Sequence, residues 1–224
     1  MPVFSLPNEV IFPDPNLAEE DGLLAVGGDL SPERLIQAYA NGIFPWYSEE
    51  EPILWWSPDP RMILFPDKFK VSKSLEQRVR NKNFEVYFDK DFESVIRNCA
   101  ASARKGDAGT WITDEMQKAY IKLHEAGFAH SVEAYLDDRL VGGLYGISLG
   151  KAFFGESMFH TERDASKIAL YALVSRMTEW GFHFIDVQQE TDHLKSLGAE
   201  SVPREKFLKL LKETLKFPVV KGKW

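Results

Sequence analysis

From Arg61 onward, short apolar runs alternate with stretches in which apolar residues return every third or fourth position. That pattern predicts strands interleaved with amphipathic helices. Arg61 to Phe65 and Phe84 to Phe88 read as strands, and Phe92, Val95, Ile96, Cys99, Ala100 and Ala103 follow helical spacing. Thr113-Asp114-Glu115 opens a further helix with Met116, Ala119, Tyr120 and Leu123 facing inward and Gly127 closing it. Residues 129–136, 139–149 and 151–159 read as three consecutive strands, and Asp137-Asp138 and Leu149-Gly150 supply the turns of antiparallel hairpins. Asp164 caps a helix with Ala165, Ile168, Ala169, Ala172, Leu173, Met177 and Trp180 on one face, and Gly181 stops it. The apolar run Phe182 to Ile185 is a strand, and a last helix begins near Pro203.

Residues 1–60 differ. They are rich in Pro, Gly and aromatics and contain one well-signalled helix, with Ser31 as N-cap, Pro32 at the first helical position and Asn41-Gly42 at the end. The remainder reads as turns around Trp46, Trp55 and Trp56, and the stiff Pro58-Asp59-Pro60 marks a boundary. The expected architecture is a small N-terminal domain, 1–60, on an α+β domain, 61–224, with a mixed central sheet.

Two polar interruptions of apolar strands stand out. Asp186 and Gln188 follow the Phe182–Ile185 run two residues apart, which on a regular strand places both on one face. Glu156 breaks the aromatic run Phe153 to Phe159. Such groups are costly to bury unpartnered, so the pattern predicts that they face a cleft.

Composition narrows the field. A hydrophobic fraction of 44% and a charged fraction of 27% are ordinary for a globular chain. No apolar run is long enough to span a bilayer and the N-terminus lacks the pattern of a signal peptide. One cysteine, Cys99, excludes an internal disulfide framework and fits a reducing compartment, so the cytoplasm is expected. On its apolar helix face Cys99 reads as core. The five histidines show no metal-ligand spacing, so no metal is expected. A net charge of −7 opposes general attachment to nucleic acid, but Lys68, Lys70, Lys73, Arg78, Arg80 and Lys82 face only Glu76 in the same segment, a local +5. The segment is either a solvated helix face or a phosphate-contact patch.

Six segments in order carry a family resemblance: Gly27-Gly28-Asp29-Leu30, Gly42-Ile43-Phe44-Pro45-Trp46, Trp55 to Arg61, Gly109-Thr110-Trp111-Ile112, Gly155 to Phe159, and Asp186 to Ala199. Together they resemble the leucyl/phenylalanyl-tRNA–protein transferases over nearly the whole chain. The resemblance implies transfer of Leu or Phe, with Met as a further donor residue, from aminoacyl-tRNA to proteins beginning with Arg or Lys, marking them for N-degron proteolysis. It also implies the acyl-CoA N-acyltransferase fold, which the element order resembles too, with no cofactor. It puts Asp186 and Gln188 at the catalytic centre and Glu156 in an orienting role. Leu144, Phe153, Leu170, Leu173 and Ile185 match the apolar side-chain pocket, and Trp46 and Trp111 the aromatics against the terminal adenosine. With the resemblance, the Lys68–Lys82 segment becomes a phosphate contact for tRNA, while Trp55 and Trp56 brace the structure and His193 serves the start of a helix.

The ester of an aminoacyl-tRNA is already activated, and an α-amine of reference pKa about 7.7–8.0 is about one-tenth neutral at pH 7. Positioning and oxyanion stabilisation therefore carry more of the rate than a strong base. Gln188 offers both a donor and an acceptor, and Asp186 is placed to orient it. A relay through Asp186 and proton transfer by the ribose hydroxyl stay open. An acyl-CoA-dependent N-acetyltransferase is the alternative on the same fold. The missing basic-x-x-Gly-x-Gly turn before the Asp164 helix, and the acid at Arg163-Asp164, count against it. A non-catalytic RNA-binding module fits the acidic net charge poorly. Nothing in the pattern asks for a dimer.

Overall fold

The computed structural model describes residues 3–81, 84–102 and 111–224. The first sixty residues hold a four-stranded sheet of β1 (Phe4–Leu6), β2 (Leu23–Gly27), β3 (Phe44–Pro45) and β4 (Leu54–Trp56), in the order β1-β2-β4-β3. The sequence reading has turns here. Strands of two to five residues broken by Pro and Gly are too short to show an alternation. α1 (Pro32–Ala40) is as expected: Ser31 Oγ accepts from the Arg34 amide and Gly42 follows at φ +73°.

The second part continues with β5 (Arg61–Leu64), α2 (Lys73–Arg80), β6 (Glu85–Phe88), α3 (Phe92–Ala101), α4 (Asp114–Glu125), β7 (Ala129–Leu136), β8 (Arg139–Leu149) and β9 (Ala152–His160). It ends with α5 (Ala165–Glu179), β10 (Phe184–Gln188), α6 (Asp192–Ser196), β11 (Glu200–Val202) and α7 (Arg204–Thr214). Seven strands form a mixed sheet, β11-β5-β10-β9-β8-β7-β6, in which β9 and β10 run parallel and the other neighbours antiparallel. The β7–β8–β9 meander lies where the alternation put it, with Asp137 and Asp138 both at positive φ in its first turn. Beyond the N-terminal strands, the short α6 and β11 are additions to the elements read from the pattern. Ala103 and Lys82 lie outside the described residues.

Both faces of the large sheet are covered. Phe92, Val95 and Ile96 of α3, Tyr120 and Leu123 of α4, and Phe207 and Leu211 of α7 pack on one face, in a buried cluster that also includes Leu24, Leu35 and Trp55 of the N-terminal part. α5 lies on the other, with Ala169, Leu170, Leu173 and Val174 against Leu144, Phe153 and Ile185. α5 also meets α2 and is buried more widely than the single stripe read from sequence. Each buried Val, Leu, Ile or Phe among them contributes on the order of 1.5–3 kcal/mol.

Two local expectations need correction. β10 includes Asp186 and Gln188, but the pairing with β5 shifts register between them, and Gln188 sits at φ +56°. Residues two apart therefore do not share a face here. Asp164 precedes α5 at φ +67° and makes no side-chain capping bond. Its carboxylate pairs instead with Arg78 at 3.0 Å, Arg163 at 3.6 Å and Lys167 at 3.7 Å. With three cations around one acid, Asp164 is no ground for expecting phosphate repulsion.

Candidate active site

The β10 irregularity is anchored by a buried ion pair. Arg61, at the head of β5, donates from Nε to Asp186 Oδ1 at 2.8 Å and from Nη2 to Oδ2 at 2.7 Å. Its Nη1 reaches the Gly42 carbonyl at 3.2 Å, and the guanidinium lies over the rings of Phe44 and Phe207. Gly42 needs to be glycine: besides its positive φ, a Cβ there would sit 2.9 Å from the Phe207 ring. Asp186 Oδ1 also accepts from the Gln188 amide at 3.1 Å, while the Gln189 amide turns back to the Val187 carbonyl at 2.7 Å. This tight turn sends the Gln188 side chain into a cleft. Asp186 is fully buried and does not line the cleft, contrary to the expectation from its strand position. The guanidinium supplies what the apolar strand lacks, so the carboxylate is sealed rather than exposed.

The cleft, about 350 Å³, opens between β9, β10, α5 and the N-terminal part. Leu144, Phe153, Leu170, Leu173 and Ile185 all line it, a continuous apolar wall. Trp46 and Trp111 stand on it from outside the sheet. Trp46 is 37% exposed and is held by Trp56, whose indole donates to the Trp46 carbonyl at 2.7 Å and packs edge-on to its ring. Trp55 is buried and bonds the Gly27 carbonyl. Trp56 thus holds Trp46 in place, while Trp55 ties β4 to β2. His193 also lines the cleft; the cap of α6 is made by Thr191, whose Oγ1 accepts from the Leu194 amide. His193 is therefore a wall residue rather than a capping one.

Glu156 is half-buried on the same cleft, on β9. Tyr39 of α1 donates to its Oε1 at 2.7 Å and Tyr120 of α4 to its Oε2 at 2.9 Å, which uses the one proton of each phenol; the two phenol oxygens also lie 2.5 Å apart, a contact that becomes a hydrogen bond when Glu156 carries a proton of its own. Burial pushes the Glu156 carboxyl up to about 7, against the two phenolic donors; the Asp186 charge adds to the rise and Arg61 offsets it. Burial and the same carboxylate hold both phenols well above their ordinary range.

The basic segment lies apart, and none of its described residues lines the cleft. Lys68 is bidentate to Glu200 at 2.8–2.9 Å, Arg78 pairs with Asp164, and Arg80 is 3.9 Å from Glu76. Glu200 and Asp164 come from elsewhere in the chain, so the local +5 is smaller in three dimensions. Lys70 and Lys73 are exposed with no ion pair among the described residues. Cys99 is buried, and no group of His, Cys, Asp and Glu suited to a metal ion occurs among the described residues. No described helix is long and apolar enough to cross a membrane.

Comparison with known proteins gives this cleft a context. The profile of a family described as leucyl/phenylalanyl-tRNA protein transferase matches residues 63–212, and that of its N-terminal domain residues 28–59. The leucyl/phenylalanyl-tRNA–protein transferase of Desulfatibacillum aliphaticivorans is 58% identical over all of this chain and 96% of its own length. That of Maridesulfovibrio salexigens is 59% identical over all of this chain and 94% of its own. The chain belongs to the leucyl/phenylalanyl-tRNA–protein transferase family. Among solved structures, an aminoglycoside acetyltransferase from a soil metagenomic sample is similar at TM-score 0.39 and 18% identity, covering 64% of this chain and 97% of that one. A GCN5-related N-acetyltransferase from Kribbella flavida gives 0.39 and 10%, over 74% and 59%.

In this transferase the sequence reading leaves out three residues that build the centre: Arg61, Tyr39 and Tyr120. Each had a signal. Arg61 heads an apolar strand, where a cation needs an acid, and Asp186 ends one, where an acid needs a cation. Tyr39 and Tyr120 lie on the inner faces of their helices, where a hydroxyl must find a partner.

Proposed function

We propose that this cleft is where an aminoacyl-tRNA ester meets the α-amine of a protein, so that Leu or Phe passes to N-termini beginning with Arg or Lys and marks them for N-degron proteolysis. The observation that carries the reading is convergence: an apolar wall, two tryptophans, a carboxylate and a carboxamide face one cavity from both parts of the chain. Leu144, Phe153, Leu170, Leu173 and Ile185 receive the aminoacyl side chain. Such a wall discriminates by only about 1–3 kcal/mol per methylene, so Met enters as well. Trp46, on the lobe formed by residues 1–60, and Trp111 hold the terminal adenosine between them, with about 1–3 kcal/mol per stacked base.

In the transfer step the amine nitrogen forms a bond to the ester carbonyl carbon, and the bond from that carbon to the ribose oxygen breaks. The proton shed by the amine is balanced by the one the ribose oxygen takes up. Gln188 presents its N–H donors to the carbonyl oxygen as it becomes negative. Asp186 does not touch substrate; with Arg61 it holds the turn that aims Gln188 and is a positioning residue. Glu156 orients the incoming ammonium, and its proton affinity near 7 lies close to that of the amine. Lys70 and Lys73 meet tRNA phosphates, with Lys68, Arg78, Arg80 and Lys82 as the wider basic surface. The enzyme works as a monomer in the cytoplasm, the compartment of charged tRNA, and no step asks for a cofactor.

The test is a transfer assay with phenylalanyl-tRNA and an Arg-initiated peptide, read by mass spectrometry beside the same peptide N-acetylated. Addition of one Phe to the free amine alone is expected. No addition, with acetylation of the peptide from acetyl-CoA instead, overturns the reading.

A further inference from the structure

The far wall of the aminoacyl pocket is braced from behind by a segment with no assigned role. After α7, which packs on one face of the large sheet, the chain passes the sheet's end and reaches the opposite face. The passage is close: a Cβ on Gly127 would lie 2.8 Å from the Gly222 amide nitrogen. Val220 and Trp224 then join the cluster that contains Phe153, Leu170 and Leu173. Trp224 is pinned on several sides. Its ring stacks on His130 at 4.1 Å and 15°, His130 Nδ1 is 2.8 Å from Asp89 Oδ2, and that same oxygen accepts from the Trp224 amide at 2.9 Å. Trp180 and Phe182 pack against the indole at 5.2 and 5.9 Å.

Phe153 is the hinge of the argument. It lines the cleft, and its ring also lies 5.7 Å from the Trp224 ring. Beneath it is Gly146, the β8 residue that pairs with His130, where a Cβ would come within 2.5 Å of the Phe153 ring. Gly146 gives the ring its place across the strand, and Trp224 stops it moving away from the cleft. We propose that Trp224 sets the depth of the aminoacyl pocket through Phe153 and is a specificity-determining positioning residue for the amino acid transferred. The inference rests on the transfer reading above.

Without the indole, Phe153 gains room to swing back and the pocket lengthens, which favours large aromatic guests over Leu. Trp224→Ala is therefore compared with the unaltered protein using leucyl-, phenylalanyl- and tryptophanyl-tRNA on an Arg-initiated peptide. The kcat/KM ratio of Phe to Leu is expected to rise about threefold to tenfold, less than the roughly 10–200-fold of a whole methylene because the wall relaxes only in part. Transfer of Trp is expected to become measurable. Trp224→Phe, which keeps an aromatic ring between Phe153 and His130, restores the ratio to within about twofold; Trp224→Leu gives an intermediate ratio and serves if the alanine variant does not fold. Equal losses for the leucyl and phenylalanyl donors, with their ratio unmoved and no Trp transfer in every variant that folds, overturn the inference. An unaltered protein that transfers nothing overturns the transfer reading, and this inference with it. Unaltered transfer with an unmoved variant ratio overturns this inference alone.

Discussion

Two carboxylates on neighbouring strands, Asp186 on β10 and Glu156 on β9, have opposite surroundings. Asp186 meets a bidentate guanidinium, accepts a backbone amide and is sealed from the cleft. Glu156 meets two neutral phenols and stands on the cleft wall. A buried carboxylate held by a bidentate guanidinium and a backbone amide is fixed in place and acts as a strut. A carboxylate met only by neutral donors has its burial incompletely offset, so its proton affinity rises toward neutrality. The surroundings thus differ in charge and exposure, although both residues break an apolar strand in the same way in sequence.

The largest effect follows from breaking the strut. Asp186→Ala leaves the Arg61 guanidinium buried without an acid, at a cost of about 3–5 kcal/mol, and calorimetry should show melting lowered by roughly 10 °C. Transfer is expected to vanish with it. The double variant Arg61→Met with Asp186→Leu removes both charges and is expected to regain most of the stability, since an apolar pair of similar volume often replaces a buried ion pair without loss. Transfer should remain absent, because the Gln188 amide has lost its acceptor. Full transfer by the double variant would show that the ion pair is scaffold alone.

A smaller effect separates the second carboxylate. The folded Glu156 titrates near 7, above its ordinary 4.5, so between these values the folded state binds a proton that the unfolded state has released. Stability from this group is then lost as pH rises from about 4.5 through 7. Glu156→Gln cannot titrate. Relative to the unaltered protein, it should gain about 1–2 kcal/mol between pH 5 and pH 8, after discounting for the solvent side of a half-buried group. Denaturant melts at the two pH values measure this directly. A constant difference would show that Glu156 does not change its protonation between the two pH values and would abolish the contrast.

Most of the second part of the chain was legible from pattern, and the site only in outline. The β7–β8–β9 meander and the helices α3, α4, α5 and α7 announce themselves by spacing, capping and turn residues. The four strands of the N-terminal part do not, because pieces as short as Phe44–Pro45 are held by their neighbours rather than by alternation. At the site, Gln188, Glu156, the two tryptophans and all five apolar wall residues fall on the cleft. The family resemblance, more than periodicity, singled them out. What no local pattern held was pairing across the fold: Arg61 and Asp186 are 125 residues apart, and Tyr39 and Glu156 are 117 apart. The charge count over residues 68–82 overstates the local excess for the same reason, since Glu200 and Asp164 enter from elsewhere.

The finest test of the contrast removes one phenolic oxygen. Tyr39 donates to Glu156 Oε1, and that bond favours the charged carboxylate, so its loss must raise the carboxyl further. A net hydrogen bond of about 0.5–1.5 kcal/mol corresponds to roughly half to one pH unit. In Tyr39→Phe the pH at which transfer reaches half its maximum should move upward by that amount, with the plateau rate little changed. Tyr120 keeps its own bond to Oε2, so the carboxylate stays oriented and the shift reports proton affinity rather than misplacement. The same substitution is expected to leave the Arg61–Asp186 strut in place, because the hydroxyl it removes faces Glu156 and Tyr120. If the profile stays in place while the plateau falls, the phenols fix position only, and the proton that limits transfer belongs to a group other than Glu156.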